Sequence, residues 1–456
     1  MDLNSKKSKK NYDLTTGSVA KTLIAFALPF LFSSFMQAFY GAVDLFVAGR
    51  FAGSSAVSAV TIGSQIMYIV TSIVLGLSMG TTVMLGRKMG EQKQKELAQI
   101  LGNSILIFFV LTIILTPLML WQTTNLVALV QTPEKAVNEA RQYITICSAG
   151  IPFIVGYNVI SSILRGLGDS RTPMYFIGIA CIINVILDFL LTGLFGMGTA
   201  GTAYATVTAQ AVSFIFALFY IKKHGLPFSF TKKDICWKKS SVKGILTLGV
   251  PIASQDFLIQ ISFMVITVIA NERGLVDSAA VGVVEKIIHF AFLVPSSFLS
   301  AISAITAQNT GAGKKERSIQ TLKYGIYITG GYGILACILF ELFPQAFTGF
   351  FSTDPAVIHS GNTYLRSYCI DCFLAGIAFS LNGYLCGINK SLIPFIHNVI
   401  SIFLFRIPVA YMMSKMFTDS LFPMGLASPL GSLTSLLIIL FYFKVIYKKT
   451  ASHNNL

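Results

Sequence analysis

The apolar stretches of this chain repeatedly exceed the roughly 20 residues needed to cross a bilayer as a helix. A chain with many such runs folds as a bundle of membrane helices, because only helices and closed barrels satisfy the backbone in hydrocarbon. Only 12% of its 456 residues are charged, and it holds 37 Phe. Twelve spans are predicted, at about 23–51, 56–84, 98–121, 143–164, 174–195, 199–221, 245–273, 278–306, 324–343, 364–387, 392–414 and 425–447. The basic head Lys6 to Lys10 precedes a run too long for a cleaved leader, and no small-residue cleavage site follows it.

The net charge of +15 is distributed by connection. Lys and Arg collect on the N-terminal tail and on Arg87–Lys95, Arg165–Arg171, Lys222–Lys243, Lys314–Lys323, Lys390 and Lys444–Lys449. The alternate connections hold few. This positive-inside bias puts both termini in the cytoplasm and removes the reason to invoke nucleic acid. Cys369 and Cys372 form a C-x-x-C within an apolar helix and read as small buried residues, with a metal or redox pair as the alternative.

The second half echoes the first at an offset of 221–222 residues. Pro29 matches Pro251, Gly90 matches Gly311, Pro133 matches Pro355, Gly166 matches Gly387, and Pro173 matches Pro394. Shared punctuation implies shared topology. Six spans per half return the chain to its starting side, so the repeats are parallel, a build in which transporters bind substrate near mid-membrane. The expected fold is an all-α polytopic membrane protein of two six-helix lobes. Its parts are a basic tail (1–21), an N-terminal lobe (22–222), a linker (223–243), a C-terminal lobe (244–448) and a second tail (449–456).

Two acids interrupt the first half's apolar runs, Asp44 in span 1 and Asp188 in span 5, and neither run contains a Lys or Arg. A carboxylate there costs about 2.5–3.5 kcal/mol on insertion scales, so it is a functional candidate by default. Asp44, Asp188 and Thr206 each fall seven residues inside the outer end of a span, about 10 Å deep. Asn184 lies one turn deeper than Asp188, and Gln37 and Tyr40 share the Asp44 face. Asn158 of span 4 reaches the depth of Gln37. Such oxygen donors suit a hard cation, and a close, desolvated carboxyl pair suits a proton. Each acid could also serve only as a helix-packing hydrogen bond. In the second half, Glu285, Lys286, Asp371 and Arg406 share one depth with balanced sign, and are expected to pair with one another. The alternative is a substrate-facing site. No catalytic constellation is evident, and Gly311-Ala-Gly-Lys-Lys has the wrong spacing for a phosphate loop.

The set of motifs in order resembles the multidrug and toxic compound extrusion (MATE) transporters over about residues 13 to 447. It comprises Asp13-Leu-Thr-Thr-Gly-Ser, Val43-Asp-Leu-Phe-Val-Ala-Gly-Arg, Leu164-Arg-Gly-Leu-Gly-Asp-Ser-Arg-Thr-Pro, Asn184-Val-Ile-Leu-Asp and Gly198-Thr-Ala-Gly-Thr-Ala-Tyr-Ala-Thr206. The second half adds Gln308-Asn-Thr-Gly-Ala-Gly and Arg406-Ile-Pro-Val-Ala-Tyr. The resemblance implies Na⁺- or H⁺-coupled antiport of amphiphilic, mostly cationic compounds by alternating access. It implies no cofactor beyond the coupling ion, no enzyme activity, a bacterial cytoplasmic membrane and a monomer in the lipid bilayer. It makes Asp44, Asn184, Asp188 and Thr206 the ion site, for Na⁺ if that is the ion, with Gln37, Tyr40 and Asn158 in its polar network. Another branch of the family uses a helix 7 Glu and a helix 10 Asp. Here Asp256 and Asp371 stand out of register with those positions. Competing expectations are a lipid-linked saccharide flippase, a dedicated metabolite exporter and a membrane-embedded enzyme. The flippase would want basic residues facing the first-half cavity, and the enzyme a catalytic pair or metal ligands.

Overall fold

The computed structural model describes residues 13–130 and 132–453, with side chains to residue 445. The basic head Lys6 to Lys10 lies outside the described residues, as do the C-terminal side chains from 446 onward and the end of the second tail. Among the described residues the chain forms helices joined by turns and short irregular connections, with no strand.

The helices are α1 (Val19–Val47), α2 (Ser54–Gly90), α3 (Gln94–Leu129), α4 (Val137–Ala149), α5 (Ile151–Leu167), α6 (Arg171–Leu187) and α7 (Gly198–His224) in the first half. The second half holds α8 (Lys239–Asn271), α9 (Leu275–Gly311), α10 (Lys315–Leu342), α11 (Pro344–Phe351), α12 (Pro355–Tyr368) and α13 (Ile370–Gly387). It continues with α14 (Leu392–Ile400), α15 (Ile407–Met416), α16 (Phe422–Gly425) and α17 (Ala427–His453). Among the described residues eleven helical segments are long and apolar enough to cross a membrane, and the bent pair Glu134–Ala149 with Ile151–Leu167, taken as one span, makes a twelfth.

That fourth span turns by 48° at Gly150. Its counterpart in the repeat, α12 and α13, is interrupted at Cys369. Three spans contain wide π turns: Ala48–Ala52 after α1, Asp188–Leu194 after α6, and Ser401–Arg406 between α14 and α15. The last two fall on spans 5 and 11, which are equivalent in the repeat. Such turns are rare and concentrate at functional positions.

Helices α2 and α9 are each 37 residues long. At 1.5 Å per residue that is about 55 Å, well beyond a hydrocarbon core of about 30 Å. Their apolar windows were expected to end near 84 and 306. Both continue helical to a glycine, α2 through Arg87 and Lys88 and α9 through the uncharged polar residues Gln308, Asn309 and Thr310.

The chain divides into two compact units. The first comprises residues 1–17, 24–253 and 307–314. Its core is built on α2, which packs on α3, α4 and α5, with α7 against α4, α5 and α6. Val74, Leu85, Ile144, Ile151 and Leu167 are fully buried there. The Lys222–Lys243 connection belongs to this unit and is docked on α3. Lys238 N–H donates to Asn103 Oδ1 at 2.8 Å, and Lys238 Nζ bonds Gln99 Oε1. Thr231 and Asp234 close a capping box on the connection's short helical turn.

The second unit comprises residues 18–23, 254–306 and 315–456. Its main helix pair is α10 on α13, where Thr329 Oγ1 donates to Gly376 O at 2.8 Å and lies 2.9 Å from Ser380 Oγ. Cys369 Sγ lies 3.3 Å from Cys337 Sγ, so its nearest thiol is on another helix and not at the other end of the C-x-x-C.

The repeated glycines have a packing reason. A Cβ at Gly166 would stand 2.8 Å from Thr82 O on α2, and one at Gly387 would stand 2.8 Å from Ser303 O on α9. Residues 82 and 303 are themselves separated by the repeat offset. Membrane helices approach closely where small residues face each other, and the same contact is made once in each unit.

Candidate functional site

Three spans of the first unit bring the predicted residues together. Asp44 is carried near the end of α1, Asn184 in the last turn of α6, Asp188 at the start of the π turn, and Thr206 two turns into α7. Asn184 and Asp188 are fully buried and Asp44 is nearly so. Asn184 Nδ2 donates to Asp44 Oδ1 at 3.1 Å, and Thr206 Oγ1 donates to Asp44 Oδ2 at 3.0 Å. The same amide stands 3.4 Å from Thr206 Oγ1. Asp44 is therefore a hub with both oxygens occupied.

Asp188 is different. Its carboxyl lies against that of Asp44, yet no N–H or O–H of a neighbouring residue reaches either of its oxygens. Asn184 Oδ1 is also buried without a donor. A buried acceptor without a donor costs about 1–3 kcal/mol, and two carboxylates side by side cost more. Two such carboxylates side by side are relieved when one is protonated or a small cation stands between them. The donor set of carboxylate, amide carbonyl and hydroxyl oxygen fits Na⁺. Among the described residues no group of three His, Cys, Asp or Glu side chains forms a metal cluster.

The surrounding polar residues divide. Gln210, one turn beyond Thr206, donates from Nε2 to Tyr40 Oη at 3.1 Å. Sequence reading passed over Gln210, although an amide one turn from Thr206 inside an apolar span was the available signal. Gln37 is half-buried on the Tyr40 side of α1 and stands outside the hydrogen-bonded set. Asn158 donates to its own helix, from Nδ2 to Ile154 O at 2.8 Å. It lines the unit without joining the acids.

The second unit gathers Glu285, Asp371 and Arg406, but not as ion pairs. No oppositely charged atoms of these residues come within 4.0 Å of each other among the described residues. Arg406 Nη2 donates to Tyr368 Oη at 3.0 Å, and its guanidinium lies 4.4 Å from the Phe263 ring centroid. Thr267 Oγ1 donates to Glu285 Oε2 at 3.4 Å. Asp371 is buried, and Lys286 is exposed. In place of the expected direct pairing, the guanidinium has a phenol at Nη2 and an aromatic ring against its plane. Arg406→Ala is expected to lower thermal stability by about 2 kcal/mol, through loss of a charged hydrogen bond and a cation–π contact. Arg406 and buried Asp371 still attract each other beyond ion-pair distance, so adding Asp371→Ala is expected to recover part of the loss. A melting curve in detergent of the double variant no better than that of Arg406→Ala removes any coupling between them.

Comparison with known proteins agrees with this architecture. The MatE family model matches residues 29–190 and 251–412, one match in each half. The chain is 29% identical to the probable multidrug resistance protein YpnP of Bacillus subtilis, over 89% of this chain and 91% of that protein. It is 27% identical to the probable multidrug resistance protein NorM of Thermotoga maritima, over 88% and 86%. A protein of Shewanella oneidensis described as an FAD transporter is 24% identical over 93% and 94%. Among solved structures, a MATE family transporter in an outward-facing conformation superposes with a TM-score of 0.90, at 20% identity, covering 96% of this chain and 98% of that one. A superfamily transporter from Pyrococcus furiosus gives a TM-score of 0.91, also at 20% identity, over the same shares. The two matched segments, one per repeat, account for most of the chain, and it belongs to the MatE family of multi-pass membrane transporters.

Proposed function

We propose that the chain exports amphiphilic, mostly cationic compounds by antiport against Na⁺ or H⁺ across a bacterial cytoplasmic membrane, with both termini inside. Residues 22–222 and 244–448 are the alternating lobes of this reading, joined by 223–243. The observation that carries it is the buried Asp44–Asp188 pair, with three oxygens of Asp188 and Asn184 lacking any donor. Loading the pair with a proton or Na⁺ removes the repulsion of two adjacent carboxylates. A cationic substrate does the same, so ion and substrate compete for one negative site, which is the thermodynamic requirement of antiport.

Within the pair the roles differ. Asp44 is held by Asn184 and Thr206 and fixes the geometry. Asp188, with free oxygens, takes the arriving charge. Tyr40 and Gln210 close the polar wall beside it. The metabolite-exporter alternative draws on the Shewanella oneidensis relative, but a dianionic flavin nucleotide would be repelled by this pair. The decisive experiment is release of a cationic dye from proteoliposomes under separately imposed Na⁺ and H⁺ gradients. Release under neither gradient would sink the proposal.

Thr206→Ala tests the finer geometry. It removes one donor from Asp44 and one candidate ligand. Ion-stimulated dye release is expected to need about five- to tenfold more ion, the net worth of one ordinary hydrogen bond, with the saturated rate little changed. An unchanged ion requirement would take Thr206 out of the site.

A further inference from the structure

Two motifs that the ion site does not use, Asp13-Leu-Thr-Thr and Gln308-Asn-Thr-Gly-Ala-Gly, meet in the first unit. The side chains of one receive the backbone of the other. Leu14 N–H donates to Gln308 Oε1 at 2.6 Å, and Asn309 Nδ2 donates to Leu14 O at 3.2 Å. Lys314 Nζ donates to Thr15 O at 2.8 Å and to Thr15 Oγ1 at 3.1 Å. These residues are 294 to 299 positions apart in the chain. Leu14 itself is buried.

The strap is made stiff by its own sequence. Asp13 accepts from Thr15 N–H at 2.8 Å and from Thr16 Oγ1 at 3.0 Å, an Asx turn that presents the Leu14 and Thr15 peptides. Burial pushes the Asp13 carboxyl up, but the bonds from Thr15 and Thr16 and the nearby Lys314 charge hold it below its usual value. It stays ionised and keeps the turn set.

The receiving turn is equally fixed, because α2 crosses α9 beside it. A Cβ at Gly90 would run into Gln308 O, and one at Gly311 would run into Arg87 O. The two glycines equivalent in the repeat therefore mark one crossing of the two longest helices. The strap is bonded across that crossing at its α9 side. By the charge bias of the sequence, this is the cytoplasmic face.

We propose that Asp13–Thr16 is a latch on the cytoplasmic crossing of α2 and α9, and that its release from Gln308, Asn309 and Lys314 accompanies opening of the transporter to the cytoplasm. The proposal rests on the alternating-access reading above. It follows from geometry, since helices that cross at glycine contact distance leave no passage between them there, and a strap bonded to one of them holds the contact only while its bonds last. The bonds from Lys314 to Thr15 are exposed to water, as suits an element that must open on each cycle.

The test has a binding-independent arm and a transport arm. Met84 on α2 is partly buried against Gly244, where a Cβ would stand 2.6 Å from the Met84 Cε. A Met84→Cys variant in proteoliposomes is exposed on the cytoplasmic side to a membrane-impermeant maleimide, and modification at position 84 is followed by peptide mass spectrometry. Adding Gln308→Ala with Lys314→Ala is expected to raise the labelling rate about tenfold, the shift that loss of a few hydrogen bonds gives a two-state equilibrium. In the second arm, Thr15→Cys with Lys314→Cys, in a Cys236→Ser background, is joined by a short bifunctional thiosulfonate. Cys236 is the exposed native thiol among the described residues. Dye release is expected to fall at least about tenfold and to return on reduction. Unchanged labelling in a folded Gln308→Ala, Lys314→Ala variant overturns the latch, as does full dye release by the joined protein. The cross-link keeps Gln308 and Asn309, so it decides the matter if the alanine variant does not fold. Should the unjoined protein move no dye under any gradient, the transport reading fails separately, and the labelling arm still decides the latch.

Discussion

Asp188→Asn is expected to abolish ion-driven dye export, a loss of at least about a hundredfold, at normal expression and melting temperature. The carboxyl it removes accepts no hydrogen bond from a described residue, so its loss leaves no donor unpaired. An amide at that position donates to Asp44 and relieves the adjacent like charge, so the helices keep their packing. What vanishes is the second negative charge, and with it the reason for a cation or proton to enter. Asp44→Asn is expected to lose export to a similar degree and to lower stability as well, because Asp44 accepts from both Asn184 and Thr206. The measurement is dye release from proteoliposomes with and without each ion gradient. An Asp188→Asn protein that exports at the wild-type rate with unchanged ion dependence would move the coupling site into the second unit, where Glu285 and Asp371 become the candidates.

Gly311→Val is expected to be the most damaging single change outside the ion site. Its side chain would occupy the place of the Arg87 carbonyl, and backbone cannot rotate away as a side chain can. Overpacking of this kind costs about 1–3 kcal/mol even where side chains can give way. The yield of monodisperse protein in detergent is expected to fall severely. Gly90→Val, whose Cβ meets Gln308 O at the same crossing, is expected to match it. Val at Gly282, which has open space around it, is the contrast and should leave yield near wild type. Equal yields from all three would show that the crossing is not tightly held.

These cases mark where the sequence was legible. Hydropathy placed twelve spans because burial in hydrocarbon acts on every residue of a run. It missed the true ends of α2 and α9, since those last turns are polar and a hydropathy window stops where the apolar run does. The acids could be picked out one by one because an ionisable group in an apolar run is expensive wherever it sits. Their grouping followed from equal depth, which is linear in residue count. Which of them touch was not legible. Asn158 shares the depth of the site yet spends its amide on Ile154, while Gln210 joins Tyr40 from a position no depth argument favoured. Arg406 shows the same limit in the second unit. Charge balance forecast an acid partner, and rotation about the helix axis gave it Tyr368 and Phe263. The glycines were read as punctuation, but at 166 and 387 they are contact surfaces. A residue's absence of side chain looks the same in sequence whether it serves a turn or a neighbour.

The wide turns at Asp188–Leu194 and Ser401–Arg406 also bear on how such a helix keeps two appointments at once. An α-helix advances about 100° per residue, so its register is committed along its whole length. Span 5 must aim Asn184 and Asp188 at α1 and, further on, give Thr192 to the start of α7, where its Oγ1 donates to Gly198 O at 3.1 Å. Span 11 must offer Ser401 to Gly431 O at 2.7 Å and Arg406 to Tyr368. One surplus residue in the turn resets the phase between the two ends of each span. Deleting a single residue from 189–194 would leave composition and hydropathy almost untouched, yet swing Thr192 away from α7 or the acids away from α1. Length, and not residue type, is the variable to which this site is most exposed.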